Sequence, residues 1–386
     1  MHDRSALGVA NVSDAELAVM VSRSLGLVDG GGGFGGVVLL ESSATVSPYH
    51  LEALTTAGRY RVRGVARTPT GDQPFSFFVK VVQSWGRTPA FAFVPVEMRE
   101  MALASLPWDV EPRIYRSDLA ARLPEGFTMP RAYAVLDIDD ESAALWIEEI
   151  DAVDVVWGKE RFVHAARLLG RLAGSESVSA TTTVGRGAAQ RLVRGYAEGR
   201  VAGQIVPALC SDDLWAHPLM SGTFDDELRA DLLAAVDELD AIVEELESAP
   251  VATMHGDACT NNLLVQRTGD DLVLIDFGFW GEGPVGFDLG QLLVGEVQTG
   301  DRPASDLAVL EPDCVAAYVE GLSQEGFTAD LDTVRRAHAL QMLLFSGLSS
   351  PPLEHLDSPP TDELRRWTAE RAAAARFMVD LVRVTS

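Results

Sequence analysis

Apolar residues along this chain change their spacing once, and the change divides the sequence into two regions. Between about residues 37 and 150 they alternate with polar residues or form short runs bounded by turn residues, which is typical of β-strands. From about residue 159 onward they recur at intervals of three and four, which is typical of amphipathic helices. Strands followed mostly by helices predict an α+β fold with two lobes.

The first region contains several candidate strands and two short candidate helices. Gly71-Asp72 lies between two of the strand runs and indicates a hairpin there. The predicted strands are Val37–Leu40, Tyr60–Arg67, Phe75–Val82, Tyr133–Asp137 and Ala144–Glu148, and the predicted helices are 96–105 and 112–122.

The second region is predicted to be helical apart from one short β-hairpin, Leu263–Val265 with Leu272–Ile275. Its predicted helices are 159–174, 184–202, 225–248, 302–322, 331–348 and 361–383.

The N-terminal residues predict a helix and a linker that precede the first strand. Residues 12–27 predict a short helix, with Ser13 and Glu16 spaced as a capping box. The glycine run 30–36 has no Lys-Ser/Thr after it and no strand before it, so a linker is favoured over a phosphate-binding loop. The expected domains are an N-terminal helix and linker (1–36), a strand-rich N-lobe (37–150) and a mainly helical C-lobe (151–386).

Composition narrows the possible partners and compartments. The formal charge of −26 argues against nucleic acid or an anionic membrane as a partner. The same charge could steer a cationic substrate or simply keep the protein soluble, and composition leaves both open. Three cysteines form no disulfide framework, no secretory signal is evident, and no apolar run is long enough to span a membrane, so a cytoplasmic location is expected.

The strongest chemical signal is His255-Gly256-Asp257 with Asn262 five residues after the Asp, followed by Asp276-Phe277-Gly278. A carboxylate can accept the proton of an attacking hydroxyl, while an amide and a second carboxylate can hold magnesium. These are the groups that phosphoryl transfer requires, at the spacing of the protein kinase signature. The sequence therefore predicts Asp257 as catalytic base and Asn262 and Asp276 as catalytic Mg²⁺ ligands.

Each of these residues alone could serve a structural role in a turn or helix cap. A metal hydrolase using His255, Asp257 and Asp276 is a further possibility, but such a site usually has more histidines, and His255 stands alone between residues 218 and 337. Support of the loop by hydrogen bonds is the favoured role for His255. Cys259 is expected near the substrate, without a nucleophilic role.

The motif with Gly256 in place of the kinase arginine resembles the aminoglycoside phosphotransferase family and its relatives, the choline, fructosamine and macrolide kinases. The central resemblance covers Met254 to Leu289, and weaker matches extend it to most of the chain from about Val37. It implies a protein-kinase-like fold and an ATP-dependent kinase of small molecules. Asp288, in the Asp-Leu that follows the second motif, is expected to fix the catalytic loop through backbone hydrogen bonds.

The resemblance also implies a nucleotide site in the N-lobe. Lys80 ends a strand in the manner of the kinase lysine that binds ATP phosphates, and its expected partner is Glu111, with Glu100 as the rival. Two further pairs of residues are expected to contact the nucleotide. Thr55 and Thr56 lie in the turn expected to cover the phosphates, and Glu148 and Ile150 lie in the segment whose backbone would meet the base.

These interpretations predict a phosphotransferase that uses ATP and Mg²⁺ to phosphorylate a hydroxyl of a small molecule such as an antibiotic, a sugar or an amino alcohol. A role in antibiotic resistance is one possibility. A kinase fold that binds a nucleotide or a partner without catalysis is the alternative. The acceptor, the choice between ATP and GTP, and a monomeric or homodimeric state stay open.

Overall fold

The computed structural model describes residues 2–27, 36–48, 53–181 and 188–386. Most of the predicted glycine linker falls outside these ranges. The chain forms two compact units, described separately below. Unit 1 comprises Met1–Ala121, Thr128–Val153 and Gln266–Gly269, and unit 2 comprises Arg122–Phe127, Asp154–Val265 and Asp270–Ser386.

Strands and helices of the described residues are numbered in chain order. The strands are β1 His2–Asp3, β2 Val38–Val46, β3 Thr56–Thr68, β4 Gly71–Gln83, β5 Phe127–Thr128, β6 Ala132–Asp139, β7 Ser142–Glu148, β8 Val251–Met254, β9 Leu263–Val265, β10 Leu272–Leu274 and β11 Gly281–Pro284. The helices are α1 Asp14–Ser24, α2 Arg99–Ser105, α3 Val110–Arg116, α4 Lys159–Gly174, α5 Glu176–Thr181, α6 Ala188–Tyr196, α7 Val206–Leu209, α8 Asp212–Ala216, α9 Asp226–Asp237, α10 Leu239–Ser248, α11 Phe287–Thr299, α12 Leu307–Gln324, α13 Leu331–Met342 and α14 Asp362–Val384.

Unit 1 is built on a six-stranded sheet with the order β1-β2-β3-β4-β7-β6. Its strands pair antiparallel, except for β1, which lies parallel to β2. Alternation of side chains along β3 and β4 gives the sheet one apolar face. On that face Val62, Phe77, Val79 and Trp146 form a core with Leu17 and other buried residues of α1. The N-terminal helix thus packs against the sheet.

The predicted capping box at the start of α1 is confirmed. The Ser13 hydroxyl accepts a hydrogen bond from the Glu16 N–H, at 3.2 Å, and the Glu16 carboxylate accepts one from the Ser13 N–H, at 2.8 Å. Together these bonds satisfy backbone donors that the first turn of a helix cannot pair internally.

Unit 2 is mainly helical, and its helices α4 and α12 cross at very short range. A Cβ added at Gly170 would lie 2.1 Å from the backbone oxygen of Tyr318, and one at Gly321 would lie 2.1 Å from that of Arg167. Glycine on both helices therefore sets how closely they approach. Short strands interrupt the helices: β9 pairs with β10, and β8 pairs with β11, both antiparallel.

The predicted α+β class, with an N-terminal antiparallel sheet and a larger helical part, is confirmed. Several element predictions were wrong in detail. The single helix predicted over 225–248 is two helices, because Glu238 leaves helical geometry at φ −94° and ψ 7°. Helix α11 was not predicted, since its buried residues do not follow one face and two glycines interrupt it. The pair β8–β11 was missed because β11, Gly-Glu-Gly-Pro, contains two glycines and a proline and shows no alternation of apolar residues.

None of the helices in the described ranges has both the length and the apolar character needed to cross a membrane.

Candidate active site

The candidate catalytic loop, residues 255–262, begins where β8 ends. The backbone N–H groups of His255 and Gly256 each donate a 2.8 Å hydrogen bond to the carboxylate of Asp288, at the start of α11. Asp288 is almost fully buried. One side chain therefore anchors the entry to the loop on a helix, as expected for this Asp.

Burial raises the pKa of Asp288 to about 6, although the two backbone donors act to lower it, and the nearby charge of Asp257 adds to the rise. At neutral pH this carboxyl is thus mostly ionised and able to accept both bonds. The Gly286 N–H, in the turn before α11, donates to the Tyr318 hydroxyl at 3.1 Å, which fixes that turn to α12. Sequence reasoning missed Tyr318, because no local pattern marks a contact across 32 residues.

The ring of His255 supports the loop and is fully buried. Its Nε2 lies 2.9 Å from the Ile275 carbonyl oxygen, and its Nδ1 accepts from the Asp257 N–H at 3.3 Å. With Nδ1 accepting, Nε2 carries the proton and donates. Both nitrogens are therefore engaged by backbone, which leaves neither available as a metal ligand and argues against a metal hydrolase.

Asp257 and Asn262 meet inside the loop. The Asn262 amide nitrogen donates to Asp257 Oδ2 at 2.9 Å and to the Asp257 backbone oxygen at 2.8 Å. A 3-10 turn over Thr260–Asn262 brings the two together, with the Asn262 N–H donating to the Cys259 oxygen. With its nitrogen occupied, Asn262 has its amide oxygen free to face a cation.

The hairpin β9–β10 returns the chain to this loop. The Ile275 N–H donates to the Asn262 backbone oxygen at 3.1 Å, which places Asp276 next to a residue bonded to Asn262. Asp276 has φ 63° and ψ 64°. Among the described residues, no other non-glycine residue has a positive φ. Such a conformation is costly for most side chains and is tolerated best by Asp and Asn, so it is typical of a functional position.

The backbone conformation and surroundings of Gly256 explain why a glycine occupies this position of the motif. It has φ +85°, and an added Cβ would lie 2.2 Å from the Phe279 backbone oxygen and 2.6 Å from the Phe279 Cβ. The catalytic loop is therefore packed directly on the backbone that follows Asp276. An arginine, as in the kinase signature, could not occupy this position without moving one of the two segments.

Cys259 lies between Asp257 and Asn262 in the sequence of the candidate catalytic loop and is partly buried. Burial raises the pKa of its thiol to about 12, and the charge of Asp257 adds to this rise. The reactive thiolate is therefore scarce at neutral pH.

Unit 1 brings Lys80 and Glu111 together. Lys80 Nζ lies 2.6 Å from Glu111 Oε2, and both side chains are almost wholly buried. Glu111 lies in the first turn of α3, whereas the rival Glu100 lies exposed in the first turn of α2. The structure thus places the lysine with the glutamate that the sequence favoured.

The other expected nucleotide contacts also lie in unit 1. Thr55 precedes β3, and its backbone oxygen accepts a hydrogen bond from the Gln83 N–H. Thr56 is paired with Val82 of β4 in the sheet. The Glu148 N–H donates to the Arg131 oxygen, so this donor is engaged within the sheet; Ile150 is half-buried just beyond β7. Their roles toward a nucleotide stay predictions.

The described residues contain no group of three or more His, Cys, Asp or Glu side chains that could hold a metal ion.

Comparison with known proteins adds an independent result. The model of a phosphotransferase enzyme family, APH, matches residues 115–325, which is more than half of the chain. Curated protein sequences give no match.

Three solved structures illustrate the similarity. An aminoglycoside phosphotransferase from Alicyclobacillus acidocaldarius is 15% identical, covering 88% of this chain and 92% of that one, with TM-score 0.47. An ethanolamine kinase from Plasmodium vivax is 11% identical, with coverages of 89% and 84% and TM-score 0.47. An aminoglycoside phosphotransferase from Streptomyces rimosus is 19% identical, with coverages of 84% and 98% and TM-score 0.37. These likenesses are distant, and it is the match to the family model that shows this chain to belong to the phosphotransferase enzyme family.

Proposed function

We propose that the protein transfers the γ-phosphoryl group of ATP to a hydroxyl of a small molecule, with Mg²⁺ as the metal. The observation that carries this proposal is the joining of Asp257, Asn262 and Asp276 through one loop and one hairpin. The Asn262 amide nitrogen donates to the Asp257 carboxylate, and the residue before Asp276 donates from its backbone to the Asn262 backbone oxygen. Membership in the phosphotransferase family supports the same chemistry.

Asp257 acts on the acceptor in this proposal. Its carboxylate orients the hydroxyl and takes its proton as the bond to phosphorus forms. The hydrogen bond from Asn262 to Oδ2 fixes the orientation of this carboxylate.

Asn262 and Asp276 would hold the metal, with the amide oxygen of one and the carboxylate of the other as ligands. Bound Mg²⁺ neutralises phosphate charge during transfer. The left-handed backbone of Asp276 sets the direction of its carboxylate, and the Ile275–Asn262 hydrogen bond keeps the two ligands adjacent.

In unit 1, Lys80 would bind the α- and β-phosphates, as the kinase lysine does. The buried Glu111 holds its ammonium in place, since a buried charge without a partner is costly. We further propose that Thr55 and Thr56 contact phosphates and that the backbones of Glu148 and Ile150 meet the base.

The acceptor is proposed to be a small hydroxyl compound, and the charge of −26 favours testing cationic ones first. The direct test measures ATP consumption by the purified protein with Mg²⁺ against a panel of antibiotics, sugars and amino alcohols. We expect turnover that requires both the metal and an acceptor. Calorimetry showing no binding of ATP or GTP with Mg²⁺ would refute the proposal, and nucleotide binding without turnover on any acceptor would support the non-catalytic alternative.

Substitution of Asp276 tests the metal site. Asp276→Asn removes the charge but keeps a side chain that tolerates the left-handed conformation. We expect the dissociation constant of ATP to rise by about tenfold or more in the presence of Mg²⁺, because a charged ligand is lost, and to change little in its absence. An equal change under both conditions, measured by calorimetry, would contradict the metal role.

Alkylation of cysteines tests the environment of the loop. At pH 8 we expect iodoacetamide to label the exposed Cys210 quickly and Cys259 far more slowly, because the raised pKa of Cys259 suppresses its thiolate. The rate at Cys259 should still be climbing at pH 10, and denaturation should abolish the difference. Mass spectrometry of the labelled peptides gives both rates, and equal rates in the native protein would contradict the burial of Cys259.

A further inference from the structure

Three arginines alternate along β3 in unit 1: Arg59, Arg61 and Arg63. In the antiparallel register with β4, Arg59 lies opposite Lys80 and Arg61 lies opposite Phe78. Residues directly opposed in this way project from the same face of a sheet. The arginines therefore share the face that carries Lys80, while the residues between them, such as Val62, face the core.

Several positively charged side chains lie on this face, although the chain as a whole is strongly acidic. Glu149 lies 3.1 Å from the Arg61 guanidinium and 2.5 Å from that of Arg63, so one carboxylate serves two arginines. Lys80 is paired with Glu111. With Arg59, the described part of this face between Arg59 and Arg63 carries four cations, in a chain whose net charge is −26. Local positive charge against that background indicates an anionic ligand.

We propose that Arg59 is a second phosphate-binding cation of the nucleotide site, acting beside Lys80. This inference rests on the proposed function. The Cβ atoms of directly opposed residues lie about 5 Å apart, so the two cations can reach neighbouring phosphates of one nucleotide. A guanidinium presents a planar fork that matches two phosphate oxygens, whereas the Lys80 ammonium acts as a compact charge.

Arg61 and Arg63 lie two and four residues farther along β3 than Arg59, and both contact Glu149. Of the three, Arg59 is the one level with Lys80. The phosphate role is therefore assigned to Arg59 alone.

Arg59→Gln is the informative variant, and Arg67→Gln is its matched control. Arg67 belongs to the same strand and face, about 26 Å farther along at the usual strand rise, and pairs with Asp72 at 3.0 Å. Titration calorimetry with Mg²⁺ and ATP, ADP or adenosine separates phosphate contacts from contacts to the base. Thermal unfolding of each variant checks its fold.

For Arg59→Gln we expect the dissociation constants of ATP and ADP to rise about tenfold or more, with adenosine changed less than about twofold. The dissociation constants of ATP and ADP for Arg59→Lys should lie between those for Arg59→Gln and wild type. Those for Arg67→Gln should equal the wild-type values. The inference is overturned if Arg59→Gln binds ATP as wild type does, or if adenosine weakens as much as ATP. Failure of wild type itself to bind any nucleotide would instead overturn the proposed function, and this inference with it.

Discussion

Asp257→Asn is expected to lower turnover of the proposed phosphotransfer by roughly two to four orders of magnitude, the usual contribution of a general base. The substitution is nearly isosteric, and an Asn oxygen can still accept the bond that Asn262 donates at 2.9 Å. The loop should therefore keep its geometry while losing the group that accepts the proton. The dissociation constant of ATP should stay within about threefold of wild type, since the base contacts the acceptor.

Asp270→Asn provides the control for this experiment, because it removes one carboxylate from the exposed turn of the β9–β10 hairpin. It should leave turnover unchanged. Equal turnover of Asp257→Asn and wild type, with any acceptor that the wild type phosphorylates, would remove Asp257 from the role of base. A parallel loss of ATP binding would assign it a structural role instead.

The sequence was informative where the contacts are local. Asp257, Asn262 and Asp276 fall within 20 residues, and the short hairpin between the last two brings Asp276 back beside Asn262. The main strands of unit 1 were predicted for a similar reason, because alternation reports the two faces of each strand directly. The start of α1 was marked by its own capping residues.

Contacts that depend on tertiary packing could not be predicted in this way. The hydrogen bond between Tyr318 and Gly286 joins separate elements, and the position of Arg59 opposite Lys80 depends on the strand register. Helix α11 was missed because burial on several sides removes the amphipathic pattern on which helix prediction rests. Sequence spacing therefore indicated which groups could do the chemistry, and packing supplied how they are held.

Gly256→Ala is expected to lower turnover by about two orders of magnitude or more. The added Cβ would lie 2.2 Å from the Phe279 oxygen, so either the catalytic loop or the segment after Asp276 must shift. A displacement of about 1 Å at a reacting group can cost about a hundredfold in rate. Asp257 follows Gly256 directly, and the shift would therefore move the proposed base away from the acceptor.

Gly269→Ala separates this effect from the general cost of a positive φ. Gly269 has φ +93°, close to the +85° of Gly256, but an added Cβ there would meet no heavy atom within 4 Å. Both alanines bear a backbone penalty of roughly 1–2 kcal/mol, so both variants should unfold at a lower temperature. Only Gly256→Ala should lose turnover at a temperature where both are folded. If the two variants retain equal activity, the contact between Gly256 and Phe279 does not position Asp257.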